Sequence, residues 1–168
     1  MMAKLIVEGH EFDIEILDHK LQELITPKKK TGYERLESHC DYWAEDEFGV
    51  CQHVGGEEDH IIDEVYKNAN YYSSDIVADN NFRADKLMRQ LRRFAVEHRK
   101  NELDWNNHDQ IKFYIGYDCK RKVFDVECDT DYITSHTVYF DSYESAEDAI
   151  SVFSSELKWY FTEYKDSL

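Results

Sequence analysis

Histidine and cysteine residues cluster in the first half of the chain, where they could ligate a metal ion. The cluster comprises His39, Cys40, Cys51, His53 and His60. Cys51 and His53 are two residues apart, so on a β-strand they would share one face, and Cys40 could face them across a hairpin. Such ligands suit zinc, although no Cys-x-x-Cys pair fixes their spacing. The alternative is buried cysteine and surface histidine; we favour it, and expect no metal or other cofactor.

Carboxylates are dense from Glu57 to Glu64, where they could hold Mg²⁺, but we favour a solvated acidic loop. His98 and His108 flank Asn106 and Asn107, but no nucleophile and no third orienting group accompanies them. Neither a glycine-rich phosphate loop nor a Gly-x-Ser-x-Gly motif is present. We therefore predict that the protein is not an enzyme.

A basic stretch with helical periodicity lies in the middle of this acidic chain. Its arginines include Arg83, Arg89, Arg92 and Arg93, which could contact the phosphates of a nucleic acid. The formal net charge of the whole chain is -16, which repels a polyanion at long range. We favour pairing of these arginines with carboxylates of the same chain over direct binding of nucleic acid.

Acidic residues recur along the faces that we expect to meet solvent. A rigid acidic surface can occupy a basic groove made for nucleic acid, and electrostatic steering makes such a DNA mimic a fast competitor. The alternative is acidity that only maintains solubility. Two groups are the candidate partner-binding residues: Glu57, Glu58 and Asp59 in the first, and Asp125, Glu127, Asp129 and Asp131 in the second.

Hydropathy patterns divide the chain into three parts. The N-terminal part, 1–72, is predicted to contain a hairpin over 4–16, a helix over 17–25 that ends before Pro27, a small antiparallel sheet over 33–54 and a short helix within 60–70.

A long amphipathic helix is predicted over 73–101, with Ser73 or Ser74 as its cap. Its apolar stripe comprises Ile76, Ala84, Leu87, Met88, Leu91, Phe94 and Ala95.

The C-terminal part, 102–168, is predicted to be a β-meander followed by a helix. Its strands cover 111–117, 123–128 and 137–140, and Asp141 and Glu144 form a capping box for the helix. The apolar positions of that helix are Ala146, Ala149, Ile150, Phe153, Leu157, Tyr160, Phe161 and Tyr164. The whole pattern predicts an α+β fold, in which small antiparallel sheets accompany a long central helix and a C-terminal β-β-β-α unit.

The start of the chain has no signal-peptide pattern, and no apolar run is long enough for a membrane span. Four cysteines in such a chain of 168 residues are expected to be reduced thiols. We therefore expect a cytoplasmic protein that does not bind membranes.

Three stretches carry a family resemblance: TGYERLE (31–37) with DYW (41–43); NANYYSS (68–74) before RADKLMRQLRRFAVEH (83–98); and DWNNHDQIKFYIGYD (104–118) with YFDSYESAEDAI (139–150). In these strings the chain resembles a family of small, uncharacterised proteins encoded by bacteriophages and prophages. The resemblance covers roughly residues 31–168. It implies a phage accessory protein expressed inside a bacterial host cell, and carries no activity with it.

Charge and resemblance together favour a non-enzymatic binding protein. We expect an anti-defence inhibitor of the anti-CRISPR type, whose acidic surface blocks the basic groove of a host protein such as a nucleic-acid-guided nuclease. The alternative is a structural or assembly protein that forms homo-oligomers through the aromatic residues Tyr71, Tyr72, Trp159 and Tyr160.

Overall fold

The N-terminal residues form a two-stranded hairpin in the computed structural model, which describes residues 2–7, 10–15, 30–36, 40–46, 49–55 and 58–164. Strand β1, Met2–Val7, pairs with strand β2, His10–Glu15, in antiparallel register, with Leu5 opposite Phe12. This confirms the predicted hairpin. The helix predicted over 17–25, with Pro27 after it, lies outside the described residues.

A second hairpin and a short helix follow. Strand β3, Tyr42–Glu45, pairs with strand β4, Cys51–Val54. Helix α1, Asp59–Lys67, begins one residue before the range predicted for it, 60–70. Its Ile62 packs with Tyr42 and Tyr71 in a buried cluster.

The prediction that the sheet begins at Tyr33 was wrong, because residues 33–36 form no strand. There the Glu34 carboxylate accepts hydrogen bonds from the N–H and hydroxyl of Thr31, the N–H of Gly32 and the hydroxyl of Ser73. These bonds hold the chain in a turn that is tied to the start of the next helix.

Helix α2, Asp75–His98, is the predicted central helix, and Ser74 precedes it in extended conformation. The apolar stripe was predicted wrongly at Ile76, whose side chain is 67% exposed. Ala78 and Phe82 are buried there instead. At 3.6 residues per turn Ile76 lies about 200° around the helix from Ala78, so the two cannot share a face.

The C-terminal sheet has three antiparallel strands: β5, Lys112–Asp118; β6, Val123–Asp129; and β7, Tyr139–Phe140. Their spatial order is β6-β5-β7, with Phe140 of β7 opposite Phe113 of β5. The predicted meander was therefore wrong, since the third strand pairs with the first strand rather than with the second.

Helix α3, Tyr143–Trp159, continues into a π-helical turn, Tyr160–Tyr164. Its cap is Ser142, whose hydroxyl accepts the N–H of Ser145 at 3.1 Å. The prediction of Asp141 as the cap was wrong, because Oδ2 of Asp141 accepts the N–H groups of Lys100 and Asn101 at 2.7 and 2.8 Å. Asp141 thereby joins the end of α2 to the start of α3.

Helix α2 contributes to two hydrophobic clusters. Its first half packs with Tyr72 through Ala78 and Phe82, and Tyr72 is joined to β3 by two backbone hydrogen bonds with Trp43. Its second half packs against α3 and the C-terminal sheet through three buried residues, Leu87, Leu91 and Ala95. The protein thus has an α+β fold with small antiparallel sheets around a long helix. Within the described ranges, no helix is long and apolar enough to cross a membrane.

Candidate partner-binding surface

The C-terminal sheet has one face against the helices and one face turned away from them. Phe113 and Ile115 of β5 and Phe124 and Val126 of β6 pack on the helical core. Because side chains alternate along a strand, the residues between them belong to the opposite face. We call this the outer sheet face; it carries Lys112, Tyr114, Gly116, Asp125, Glu127, Asp129 and Tyr139.

Aromatic rings occupy one side of the outer sheet face. The ring centroids of Tyr114 and Tyr139 are 5.6 Å apart, and Trp105 packs edge-on with Tyr139 at 4.9 Å. Lys112 is fully buried beside them, with its Nζ 5.0 Å from the centre of the Trp105 ring. The same Nζ donates to the backbone oxygens of Asn107 at 2.9 Å and Thr130 at 3.2 Å. Lys112 therefore fixes the loops on both sides of the aromatic group.

Carboxylates occupy the other side, along β6. Glu127 lies directly across from Tyr114 in the strand register, and Asp125 lies across from Gly116. Asp125 accepts a hydrogen bond from Arg121 at 2.9 Å. Glu127 is exposed, and its carboxylate makes no hydrogen bond or ion pair with any other residue that the structure describes. Glu127 is thus the carboxylate of this row that is free for a partner.

The remaining members of the second acidic group have internal contacts. Oδ1 of Asp129 accepts the N–H groups of Tyr132 and Asp131 at 3.0 and 2.9 Å. These bonds lower the pKa of Asp129. Asp131 contacts Nδ1 of His108 at 2.6 Å. Asp129 and Asp131 therefore hold the loop that follows β6.

The pKa of Tyr114 is raised, first by partial burial and then by the negative charges of Glu127 and Asp129. The ring hydroxyl thus stays protonated beside the acidic row and can donate a hydrogen bond.

At the end of β5, Arg121 also binds Asp118 at 2.6 Å and lowers the pKa of that carboxyl. Basic side chains of the 120–122 turn therefore bound the acidic row at one end.

The first predicted acidic group lies elsewhere. Glu58 and Asp59 are exposed at the start of α1, and Glu58 is 3.3 Å from the ring nitrogen of His60. Glu57 lies outside the described residues. Because α1 packs with the Tyr42 cluster and β6 with the C-terminal core, the two acidic groups do not form one surface in the described part of the chain.

The arginines of α2 mostly pair with carboxylates. Arg83 holds Glu156 of α3 with two hydrogen bonds, Arg89 contacts Glu45 of β3 at 3.0 Å, and Arg93 contacts Glu97 of its own helix at 3.3 Å. Arg92 makes no ion pair within the ranges that the structure covers. Three of the four candidate arginines thus pair with carboxylates of the chain, which agrees with the expected internal pairing.

The candidate zinc ligands are not seen to converge. Cys40 is exposed, and the ring of His53 lies 3.4 Å from Asp41 and packs with Trp43. His39 and the side chain of Cys51 lie outside the described part of the structure. Among the side chains that are described, no group of three or more His, Cys, Asp or Glu is placed to hold a metal ion.

The aromatic residues assigned to self-assembly lie inside the fold. Tyr71, Tyr72 and Trp159 are buried, and Tyr160 is half-buried against the C-terminal core. Tyr71 stacks on Tyr42 with ring centres 4.5 Å apart. These residues therefore do not supply the surface that such an interface needs.

Sequence reasoning missed Tyr114, Tyr139 and Trp105 as surface residues. The signal was present in the alternation of β5. Ile111, Phe113, Ile115 and Tyr117 alternate with Tyr114 in the sequence, so Tyr114 falls on the opposite face of the strand. The proximity of Trp105 and Tyr139 depends on the pairing of β7 with β5, which no local pattern encodes.

Comparison with known proteins identifies no protein that is similar to this chain. No family model, no curated protein and no solved structure matches the chain. These comparisons do not bear on the resemblance to phage proteins, which stays a prediction.

Proposed function

We propose that this protein is a non-enzymatic binding protein and that its outer sheet face holds a basic surface of another protein. The observation that carries the proposal is the position of Glu127, an exposed carboxylate with no partner among the described residues, opposite Tyr114 on the C-terminal sheet. A guanidinium group of a partner would pair with the Glu127 carboxylate and stack on the Tyr114 or Tyr139 ring. Both contacts favour arginine over lysine.

The number of available carboxylates defines what kind of mimicry is feasible. Arg121 neutralises Asp125 at one end of the row, and Asp129 at the other end accepts backbone N–H groups of its own loop. The row therefore does not replace a nucleic-acid strand charge for charge, and recognition would rest on individual arginine side chains of the partner.

A basic groove that normally takes nucleic acid is a surface of this kind. In the phage context that the resemblance implies, its owner would be a nucleic-acid-guided nuclease of the host. Occupation of the groove would make this protein an anti-CRISPR-type inhibitor.

The test is retention and inhibition of such a nuclease by charge variants with equal net charge. Glu127→Lys changes the outer sheet face, and Asp148→Lys changes an exposed carboxylate on α3 by the same amount. Each tagged protein is incubated with a purified CRISPR nuclease at low and at high salt, and DNA cleavage is measured. We expect the wild type and Asp148→Lys to bind and inhibit at low salt, and Glu127→Lys to do neither.

Equal behaviour of the two variants would contradict the role of this face. Binding that persists at high salt would contradict the electrostatic basis of the proposal. Tyr114→Ala separates the aromatic contribution, since it leaves every charge in place and should weaken binding while keeping its salt dependence.

A further inference from the structure

A pocket of about 350 Å³ lies at the edge of the C-terminal sheet, between β7 and the last turns of α2. Its walls are mainly apolar. Val96 on α2 is 57% exposed there. The other apolar wall residues are Ala95, Leu103, Trp105, Val138 and Tyr139. Pockets that take small molecules start at about 300 Å³, so this one has room for a ligand the size of a mononucleotide or an aromatic amino acid.

Two arginines line the same pocket. Arg92 lies on α2, Arg99 directly follows the last residue of that helix, and both are exposed. Neither makes an ion pair with a residue in the described ranges, although Arg83, Arg89 and Arg93 of the same helix all do. In an acidic protein, two arginines left beside an apolar cavity are placed to hold an oxyanion, which guanidinium groups bind through paired hydrogen bonds.

Opposing charges limit the class of ligand. Asp141 also lines the pocket, and its Oδ2 is occupied by the N–H groups of Lys100 and Asn101. The C-terminal end of α2 adds a partial negative charge of about one half. The combined positive charge of the two arginines is therefore only slightly larger than the combined negative charge of Asp141 and the helix end. A suitable ligand therefore carries an oxyanion for the two arginines and an N–H donor for the second oxygen of Asp141.

We propose that this pocket binds a small ring-bearing anion that also carries an N–H donor. Arg92 and Arg99 hold its phosphate or carboxylate, Val96 and Trp105 contact its ring, and Asp141 accepts its N–H group. Mononucleotides and aromatic amino acids share this chemistry. The charged residues of the pocket lie at the end of α2 and just before α3, apart from Glu127. Trp105 and Tyr139 belong both to the pocket wall and to the aromatic side of the outer sheet face.

Titration calorimetry with four defined probes tests the proposal. Adenosine 5′-monophosphate and tryptophan carry the complete set of groups. Adenosine lacks the oxyanion, and indole-3-propionate lacks the ammonium group. We expect one of the two complete probes to bind, and its counterpart to bind at least about tenfold more weakly, since a charge-assisted hydrogen bond is lost.

The matched variants are Arg92→Gln and Arg93→Gln, which are neighbours on α2 with the same change of charge. Arg92→Gln should weaken binding at least about tenfold, and Arg93→Gln should leave it unchanged, because Arg93 lies on another side of the helix beside Glu97. Binding of the nucleotide alone identifies phosphate as the anion, and binding of tryptophan alone identifies carboxylate. No binding of either at millimolar concentration, equal binding of adenosine and its monophosphate, or equal effects of the two variants would overturn the proposal.

Discussion

Arg83 of α2 holds Glu156 of α3 by two parallel hydrogen bonds, from Nε to Oε2 at 2.8 Å and from Nη2 to Oε1 at 3.0 Å. The same guanidinium lies 4.0 Å from the centre of the buried Trp159 ring. The contact raises the pKa of Arg83 and lowers the pKa of Glu156. One side chain thus joins both long helices through charge and through an aromatic ring.

Arg83→Gln should lower the free energy of unfolding by about 1–2 kcal/mol, from the partly exposed ion pair and the cation–π contact together. Solvent weakens the ion pair, because Arg83 is 44% exposed. Urea unfolding gives the value. Arg93→Gln, which removes an exposed pair within one helix, should cost at most about 0.5 kcal/mol. Equal losses would mean that the bridge to α3 has no special role.

Glu156→Gln should show a pH-dependent loss of stability. Arg83 lowers the folded pKa of Glu156 below the ordinary value of 4.5. The pair therefore stabilises the fold fully above pH 4.5, and the contribution disappears as the pH falls through the folded pKa. Unfolding curves of wild type and variant should differ at pH 7 and converge under acidic conditions. A constant difference down to low pH would contradict the assignment.

The Glu34 carboxyl should titrate with a pKa of about 2, because the N–H of Thr31 donates to it, with further bonds from the hydroxyls of Thr31 and Ser73. Its stabilising effect is complete above pH 4.5, the ordinary value, and is lost as the pH falls from there toward 2. Carboxyl-detected NMR titration measures the pKa directly. Ser73→Ala removes one donor and should move the pKa of Glu34 upward, and an unchanged value would show that Ser73 does not contribute.

Lys112→Met should destabilise the protein by about 2 kcal/mol, since it removes two charge-assisted hydrogen bonds to loop carbonyls while keeping most of the buried volume. Hydrogen exchange should accelerate in the loops 104–110 and 130–137, which Nζ of Lys112 joins. Lys120→Met, at an exposed turn, is the control and should leave exchange in both loops unchanged. Uniform acceleration over the whole sheet would instead indicate a general loss of packing.

Gly32→Ala should destabilise the fold by more than about 1 kcal/mol, because its φ of 89° lies in the left-handed region. A Cβ atom at Gly32 would also lie 2.5 Å from a methyl group of Val77 on α2. Thermal unfolding measures the loss. Combining Gly32→Ala with Val77→Ala removes the methyl contact but keeps the Val77 Cβ at 2.9 Å, so it should recover part of the loss. No recovery would show that the methyl contact does not contribute.

Local sequence patterns predicted where helices and strands occur better than they predicted which strands pair. The alternation in β5 and β6 and the turn between them identified that hairpin, because side-chain direction follows residue number along a strand. The pairing of β7 with β5 instead of β6 depends on the path of the 130–138 loop. The hydropathy pattern does not predict that path. The burial of Lys112 was missed for a similar reason, since the carbonyls that receive its Nζ come from two separate loops.

The candidate surface shows the same limit. Composition identified acidity as the main surface property, but it could not separate Glu127, which faces solvent without a partner in the described structure, from Asp125, which Arg121 neutralises. Asp141 is a further example, since a residue with the sequence position of a helix cap instead binds the end of another helix. Such assignments depend on contacts between residues that are distant in the chain.

The continuity of α2 makes the unfolding of the two hydrophobic clusters one cooperative event. At about 1.5 Å per residue its 24 residues extend over about 36 Å, with Phe82 in one cluster and Leu87 in the other. If α2 unfolds in one cluster, backbone and apolar side chains of the helix become exposed, and the packing of the other cluster against the helix is weakened. Although the chain carries separate small sheets, the two clusters that share α2 should therefore melt as a single thermodynamic unit with one transition.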